Sequence, residues 1–273
     1  MASAKKKTRA PRKRDHAPRV KAIDARSVAV TPRRILAIDI GGRTVKVLAS
    51  GHHESVKIPS GKRMTPARMV AAVERATRQW KYDAISIGYP GLVRADGPHS
   101  EPLNLGPGWV GFDFAAAFGK PVRIINDAAM QAIGSYNGGR MLFIGLGTGL
   151  GSALITENVV VPLELGELPY GENERLGLVV GRHGLKRLGR KKWRSIVQDM
   201  LNSFARAFVV DYIVLGGGNA KVFKELPSGV RLGHNLTAFR GGFRLWNVDD
   251  VTTLTPAGPA LQETRASTDW RVV

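Results

Sequence analysis

The sequence predicts an α/β fold of two related lobes facing a cleft, and three observations carry that expectation. Short apolar runs alternate with stretches of helical periodicity, the pattern of strands and helices packed in layers. Two glycine-turn hairpins, at 39–46 and 145–151, loosely resemble each other. The 273 residues, 43% of them hydrophobic, can form one large or two modest cores. The expected divisions are a basic disordered tail at 1–34, an N-terminal α/β lobe at 35–130, a C-terminal α/β lobe at 131–246 and a loosely ordered tail at 247–273.

Residues 1–34 mix Lys, Arg, Pro and Ala with few large apolar side chains, so burial cannot offset their ordering entropy. Regular structure begins at Ile35, where ILAIDI fits a buried strand, followed by Gly41-Gly42 and a second strand, TVKVL. Thr65-Pro66 supplies an N-cap and a first-turn proline. Met69, Val73, Ala76 and Trp80 then recur at helical spacing, predicting a helix over 65–80. AISIG (84–88) and VRIIN (122–126) read as strands, and a helix follows near 128–136. MLFIGL (141–146) and GSALI (151–155) are further strands on either side of a glycine turn. Trp193, Ile196, Val197, Met200, Leu201, Phe204 and Phe208 share one face of a helix over 193–209, and YIVLGGG (212–218) is a strand entering a glycine turn. From about Asn247 onward Thr, Pro, Ala and Asp occur without a period.

Cysteine is absent, which excludes disulfides, thiolate nucleophiles and Cys-ligated zinc. No run approaches the roughly 18 apolar residues of a bilayer span, and no apolar segment follows the charged N-terminus. The expectation is a cytoplasmic protein without a membrane partner. Lys and Arg number 41 against 22 Asp and Glu, a net charge of +19. The first 34 residues hold 12 basic and 2 acidic side chains, so about half of the excess lies there. This tail reads either as a contact for nucleic acid or another polyanion, or as a solvated tail.

Three glycine clusters each follow a strand: Asp39-Ile40-Gly41-Gly42-Arg43-Thr44-Val45-Lys46, then Gly145 to Gly151, then Gly216-Gly217-Gly218-Asn219. Glycine lets backbone N–H groups approach phosphate oxygens with no Cβ in the way. The GxxxxGK[ST] phosphate loop is missing, and GLGTGLG fails the GxGxxG register because Leu150 or Ser152 stands where the third glycine belongs.

The clusters act as a set. IDIGGRTVKV resembles the first phosphate hairpin of the actin/hexokinase/Hsp70-like ATPases, GLGTGLGSALI their second, and YIVLGGGNA their adenosine loop. Between them SIGYPGLV, LNLGPGW, INDAAMQAIGSY and ELGELPY follow the order of the ROK sugar kinases, and RKKWRSIVQDMLNSFARAFVVDYIVLGGG is similar to the polyphosphate glucokinase branch. The resemblance spans roughly 35–246 and implies a two-lobed ribonuclease-H-like fold. It further implies a glucokinase using polyphosphate or ATP with Mg²⁺, and a homodimer.

The resemblance also assigns roles. Asp127, leaving an apolar strand at a helix start, matches the catalytic base, and a helix N-terminus can steady its charge. Asp39 matches a carboxylate near the metal-bound phosphate, acting on Mg²⁺ through water. Gly41, Gly42, Thr44 and Lys46 on one side, and Gly147, Thr148, Gly149 and Gly151 on the other, would hold phosphates, with Gly216, Gly217 and Gly218 at the nucleotide. Asn104, Asn126, Asp127, Glu164 and Glu167 fall at sugar-contact positions. Glu167 departs from the usual histidine, placing an acceptor-only carboxylate where an imidazole normally stands. The family's cysteine-bearing zinc motif is absent, so no zinc is expected, and the histidines at 16, 52, 53, 99, 183 and 234 show no ligand spacing.

Between 182 and 194 lie Arg182, Lys186, Arg187, Arg190, Lys191, Lys192 and Arg194 with no acidic residue. Such a run is either a solvated face or a guide for a long polyanion such as polyphosphate. The alternative to a kinase is a catalytically weak sugar sensor or nucleic-acid-binding regulator, suggested by Glu167 and the basic tail.

Overall fold

A computed structural model describes residues 34–234 and 236–246. Nearly all of the basic tail, and the stretch expected to be loosely ordered at 247–273, lie outside these residues. Two five-stranded sheets form the frame. In the first, β1 (Ile35–Ile40) pairs antiparallel with β2 (Thr44–Ala49), and β2 pairs antiparallel with β3 (Val56–Pro59). Helix α1 (Pro66–Ala76) leads to β4 (Ala84–Tyr89), parallel to β1, and α2 (Phe114–Phe118) leads to β5 (Val122–Asn126), parallel to β4. Helix α3 (Asp127–Ser135) follows directly.

The second sheet repeats this plan. Strands β6 (Met141–Leu146), β7 (Leu150–Thr156) and β8 (Val159–Leu163) form an antiparallel meander. Helices α4 (Leu176–Val180) and α5 (Arg182–Ala207) then lead to β9 (Tyr212–Gly216), parallel to β6, and β10 (Val230–Leu232) is parallel to β9. The orders β3-β2-β1-β4-β5 and β8-β7-β6-β9-β10 are the same arrangement made twice. The loose likeness of the two hairpins is the only part of that repetition visible in the residues.

The continuous apolar run of β1 is explained by covering on both faces. Leu36, Ile38 and Ile40 join a core with Met69, Val73 and Trp109. Ile35 and Ala37 instead meet Phe239 and Phe243 of α6 (Thr237–Arg244). This last helix lies inside the 131–246 segment yet packs on the first sheet. Ser86 Oγ donates to the Gly242 carbonyl (2.6 Å), Trp246 Nε1 donates to Ser86 Oγ (2.9 Å), and the Arg123 guanidinium lies over the Trp246 ring at 4.2 Å. Helices α3 and α6 touch backbone to backbone, since a Cβ built on Gly134 would lie 1.8 Å from the Thr237 carbonyl oxygen. A Cβ on Gly241 would lie equally close, 1.8 Å, to that of Met130.

Two helix boundaries differ from the expected ones. Helix α1 ends at Ala76, because Thr77 leaves helical geometry (φ −109°, ψ 14°), and Trp80 reaches the core from the turn beyond. Helix α5 begins at Arg182 instead of 193 and is broken at Gly189, whose φ is 73°. The basic run is therefore helical on both sides of a break. Its first segment offers only Leu185 and Leu188 as large apolar positions, too few to show a period. Helix α6, with two glycines in eight residues, likewise carries no propensity signal.

Candidate active site

Strands β1, β4 and β5 are parallel, so their C-terminal ends bring Asp39, Gly88 and Asn126-Asp127 to one edge of the sheet. Asp39 stands opposite Lys46 of β2 and accepts a bond from its ammonium, Nζ to Oδ2 3.1 Å. The pair is uneven, with the Asp39 side chain 14% exposed and that of Lys46 42%. The turn between β1 and β2 closes through Gly41 N–H donating to the Thr44 carbonyl (3.1 Å), while Ser60 Oγ donates to the Gly41 carbonyl (2.6 Å). A Cβ on Gly42 would stand 2.9 Å from that of Asn104, so this predicted sugar contact lies directly against the first glycine turn.

Asn126 caps α3. Its Oδ1 accepts from the Ala128 and Ala129 amides (2.9 and 3.1 Å), and its Nδ2 donates to the Gly91 carbonyl at 3.1 Å. Asp127 therefore occupies the first helical position, where it also accepts from Ala128 N–H at 2.7 Å. Burial, and then the negative charge of Asp39, push its carboxyl up from 3.8 to about 7; the Ala128 amide opposes the rise and Glu164 adds to it. The carboxyl is thus poised to exchange a proton near neutrality.

The second glycine cluster reaches the same helix from the other side. A Cβ on Gly151 would meet that of Ala128 at 2.9 Å. Gly147 N–H donates to the Gly149 carbonyl (3.0 Å), and the Gly147 carbonyl accepts from Arg182 N–H at the start of α5 (3.0 Å) and from Asn219 Nδ2 (2.8 Å). The third cluster is thereby tied to the second: Gly217, with φ 81°, lies so near the end of β6 that a Cβ would sit 2.4 Å from the Leu146 carbonyl oxygen. Gly147 and Gly218 are different. Neither has positive φ, and a Cβ on either would meet nothing within 4 Å. Neither packing nor backbone geometry requires glycine there, which leaves open space beside each Cα, although the Gly147 amide and carbonyl are already bonded within the turn.

Glu164 precedes a 3₁₀ turn at Leu165–Glu167 after β8, and Glu167 is its last residue. Burial, and then Glu167, raise the Glu164 carboxyl above its usual range. Glu167 itself is 61% exposed and forms an ion pair with Arg175. Arg187 of the basic run pairs with Glu174, 2.6 Å between Nη1 and Oε1. The run has no acidic neighbour in sequence, but folding supplies one from the adjacent loop. Lys186, Arg190, Lys191 and Lys192 remain exposed. Thr148 and Gly149 complete the second turn, and Gly216 ends β9 behind it.

A carboxylate absent from the sequence-based set also shapes the site. Glu101 accepts from Trp109 N–H through both oxygens (3.1 and 3.2 Å) and from Val110 N–H (3.1 Å), closing the loop that carries Asn104. Its signal in the sequence is only a polar residue ahead of Pro102, with nothing to indicate partners eight residues on.

The donor set can be tested against the implied Mg²⁺. Among the described residues no group of three or more His, Cys, Asp or Glu could hold a metal. Asp39 nevertheless retains Oδ1, and a Mg²⁺ ion bound chiefly by phosphates and water needs only one or two carboxylates. The residues fit an ion that would arrive with a phosphate donor and be held by Asp39 through water.

Taken together, the two matched sheets and the glycine turns at their strand ends are the fold of the ROK and hexokinase-like ATPases. The sequence is similar to the polyphosphate glucokinases. It is 26% identical over 221 residues to polyphosphate glucokinase of Mycobacterium tuberculosis, covering 73% of this chain and 83% of that protein. The Mycobacterium leprae polyphosphate glucokinase is 24% identical over 206 residues, 68% of this chain and 63% of the relative. The inorganic polyphosphate/ATP-glucomannokinase of Arthrobacter sp. strain KM superposes with a TM-score of 0.68 at 23% identity, over 78% of this chain and 98% of that one. A ROK family glucokinase from Streptomyces griseus, in complex with glucose and AMPPNP, gives 0.60 at 16% identity, over 78% and 98%. A ROK family transcriptional regulator, a homolog of the E. coli MLC protein, gives 0.55 at 16%, over 78% and 77%. No protein-family model matches the chain.

Proposed function

We propose that this chain is a hexose kinase, with glucose and its 6-hydroxyl as the preferred acceptor and polyphosphate or ATP as donor. The observation that carries the reading is Asp127, a carboxyl with a value near 7 at the first position of α3, raised by burial and the charge of Asp39 and next to Ala128, which meets Gly151 of the second glycine turn. In this mechanism Asp127 accepts the hydroxyl proton as the sugar oxygen bonds to the terminal phosphorus. The bond from that phosphorus to its bridging oxygen breaks, and the shortened donor leaves with the electron pair. Asn104, Asn126 and Glu164 hold ring hydroxyls, with Glu167 at the rim. Gly41, Gly42, Thr44 and Lys46 act with Gly147, Thr148, Gly149 and Gly151 on the donor phosphates, and Gly216, Gly217 and Gly218 serve a nucleotide. Asp39 would hold a donor-bound Mg²⁺ through water, and the ion would supply charge neutralisation to the phosphates. The two sheets would be the two lobes, with substrates between them.

The exposed face of α5, rising from the second glycine turn, supports polyphosphate as a donor, because a long polyanion meets many of its charges and ATP meets few. A second reading, a sugar sensor with weak turnover, is favoured by the exposed, Arg175-paired Glu167. The deciding experiment supplies glucose with ATP and with polyphosphate in parallel and measures glucose 6-phosphate. Formation from either donor is expected; glucose binding without phosphorylation of any hexose would favour the sensor.

A further inference from the structure

The segment from Ser100 to Val110 passes the C-terminal end of β4 and reaches the first glycine turn, and it is pinned at several points. Tyr89, whose strand position faces Asn126, donates its hydroxyl to the Ser100 carbonyl at 2.7 Å. Ser100 Oγ accepts from Leu92 N–H at 2.9 Å. Leu105 and Trp109 are buried in the core, Trp109 Nε1 donates to the Gly106 carbonyl (2.7 Å), and Gly106 N–H donates to the Met64 carbonyl (2.9 Å). Between these anchors the chain bulges outward. Leu103 is 94% exposed and Asn104 is exposed beside Gly42.

One side chain closes the base of this bulge. The Glu101 carboxylate accepts from two successive amides, those of Trp109 and Val110, at 3.1 to 3.2 Å. A charged acceptor makes such bonds stronger than neutral ones, and here it spans the segment that holds Asn104. Among the described residues no hydrogen bond fixes the Asn104 side chain, so its location follows from where the loop is held.

We propose that Glu101 is a positioning residue for sugar recognition: by clamping the Trp109 and Val110 amides it holds Asn104 against the first glycine turn, where Asn104 meets a ring hydroxyl of the hexose. This rests on the hexose-kinase reading above. The second and third glycine clusters and α5 make no hydrogen bond to this loop among the described residues, and the first glycine turn, which also serves the donor, meets it only at Asn104 and is closed by its own Gly41–Thr44 and Ser60–Gly41 bonds. Loss of the clamp therefore acts chiefly on the sugar.

The test compares Glu101→Ala, Glu101→Gln and Asn104→Ala in the full chain. Losing hydrogen bonds to a charged group corresponds to at least about a tenfold effect. Glu101→Ala should raise KM for glucose about tenfold, with kcat and donor KM within about twofold. Glu101→Gln keeps one carbonyl acceptor and should recover part of the loss. The double variant with Asn104→Ala should be little worse than Asn104→Ala alone, because both changes act through the same contact. Amide exchange at Trp109 and Val110 should quicken in Glu101→Ala, while the Gly106 amide stays protected. Equal changes in sugar and donor constants, an additive double variant, or unchanged exchange would overturn the proposal. Native protein that neither binds nor phosphorylates any hexose would overturn the kinase reading itself; the exchange measurement, which needs no substrate, would still report whether Glu101 holds the loop.

Discussion

Asp127 shows what a single carboxyl gains from its position. Helix capping is assigned to Asn126, which leaves Asp127 as an acid held near neutrality by burial and by Asp39. Two consequences have opposite signs along the pH axis. As a base Asp127 must be ionised, so kcat/KM should rise through a pH of about 7. Its folded value lies above the unfolded one of 3.8, so between these limits the native state keeps a proton that the unfolded chain releases. Stability should fall as pH rises through that window and level off above it. Asp127→Asn should lower turnover by about 100-fold or more, keep most sugar binding, and flatten the pH dependence of Tm between 4 and 7 while raising Tm at pH 8. A folded variant with near-normal turnover would remove Asp127 from the chemistry. At Glu167, replacement by histidine frees Arg175 and puts a donor at the sugar rim, so KM for sugar should move more than KM for donor; equal changes would place Glu167 outside the pocket.

At the level of elements, α5 combines two kinds of charge that look alike in sequence. Arg187 is committed to Glu174, whereas Lys186, Lys191 and Lys192 are exposed. Neutralising these three lysines should reduce kcat/KM for polyphosphate strongly and for ATP little. The polyphosphate reaction should also be the more salt-sensitive, since such attraction is screened over about 8–10 Å. Deleting residues 1–30 should leave both reactions nearly intact; collapse of polyphosphate use in that deletion, with the lysine variant unaffected, would move the polyanion path to the tail. Seven of the ten strands in the two sheets were legible as short apolar runs, whereas the edge strands β3, β8 and β10 were not, because many of their positions are exposed and no buried face marks them. The α5 start was hidden, since its first segment packs only two leucines. The Asp127 position could be read from the strand-to-helix junction, but the clamp by Glu101 could not, because side-chain bonds to backbone amides leave no periodic trace. The partner of Arg187 was equally invisible: Glu174 precedes the run and is brought to it by folding.

For the molecule as a whole, the crossing of α3 and α6 sets a steric limit. Gly134 and Gly241 let carbonyl groups approach where any side chain would collide with backbone, which cannot yield as a flexible side-chain tip does. Although alanine favours isolated helices by about 1 kcal/mol over glycine, Gly134→Ala and Gly241→Ala should each destabilise the protein by about 1–3 kcal/mol or more. Urea denaturation would measure this, and an unchanged midpoint would show that the helices can separate without cost. Since Asp127 begins α3, a surviving variant should also lose turnover through displacement of that helix.

The return of α6 to the first sheet also governs the order of events during synthesis. Ile35, Ala37, Leu48 and Ala84 emerge from the ribosome early, but the Phe239 and Phe243 rings that cover them come 155 to 208 residues later. Until then one face of the nascent sheet stays uncovered, and contacts this distant in sequence form slowly. A polypeptide released before Thr237 would display that greasy face permanently and should aggregate, even though every glycine turn and Asp127 had already been made.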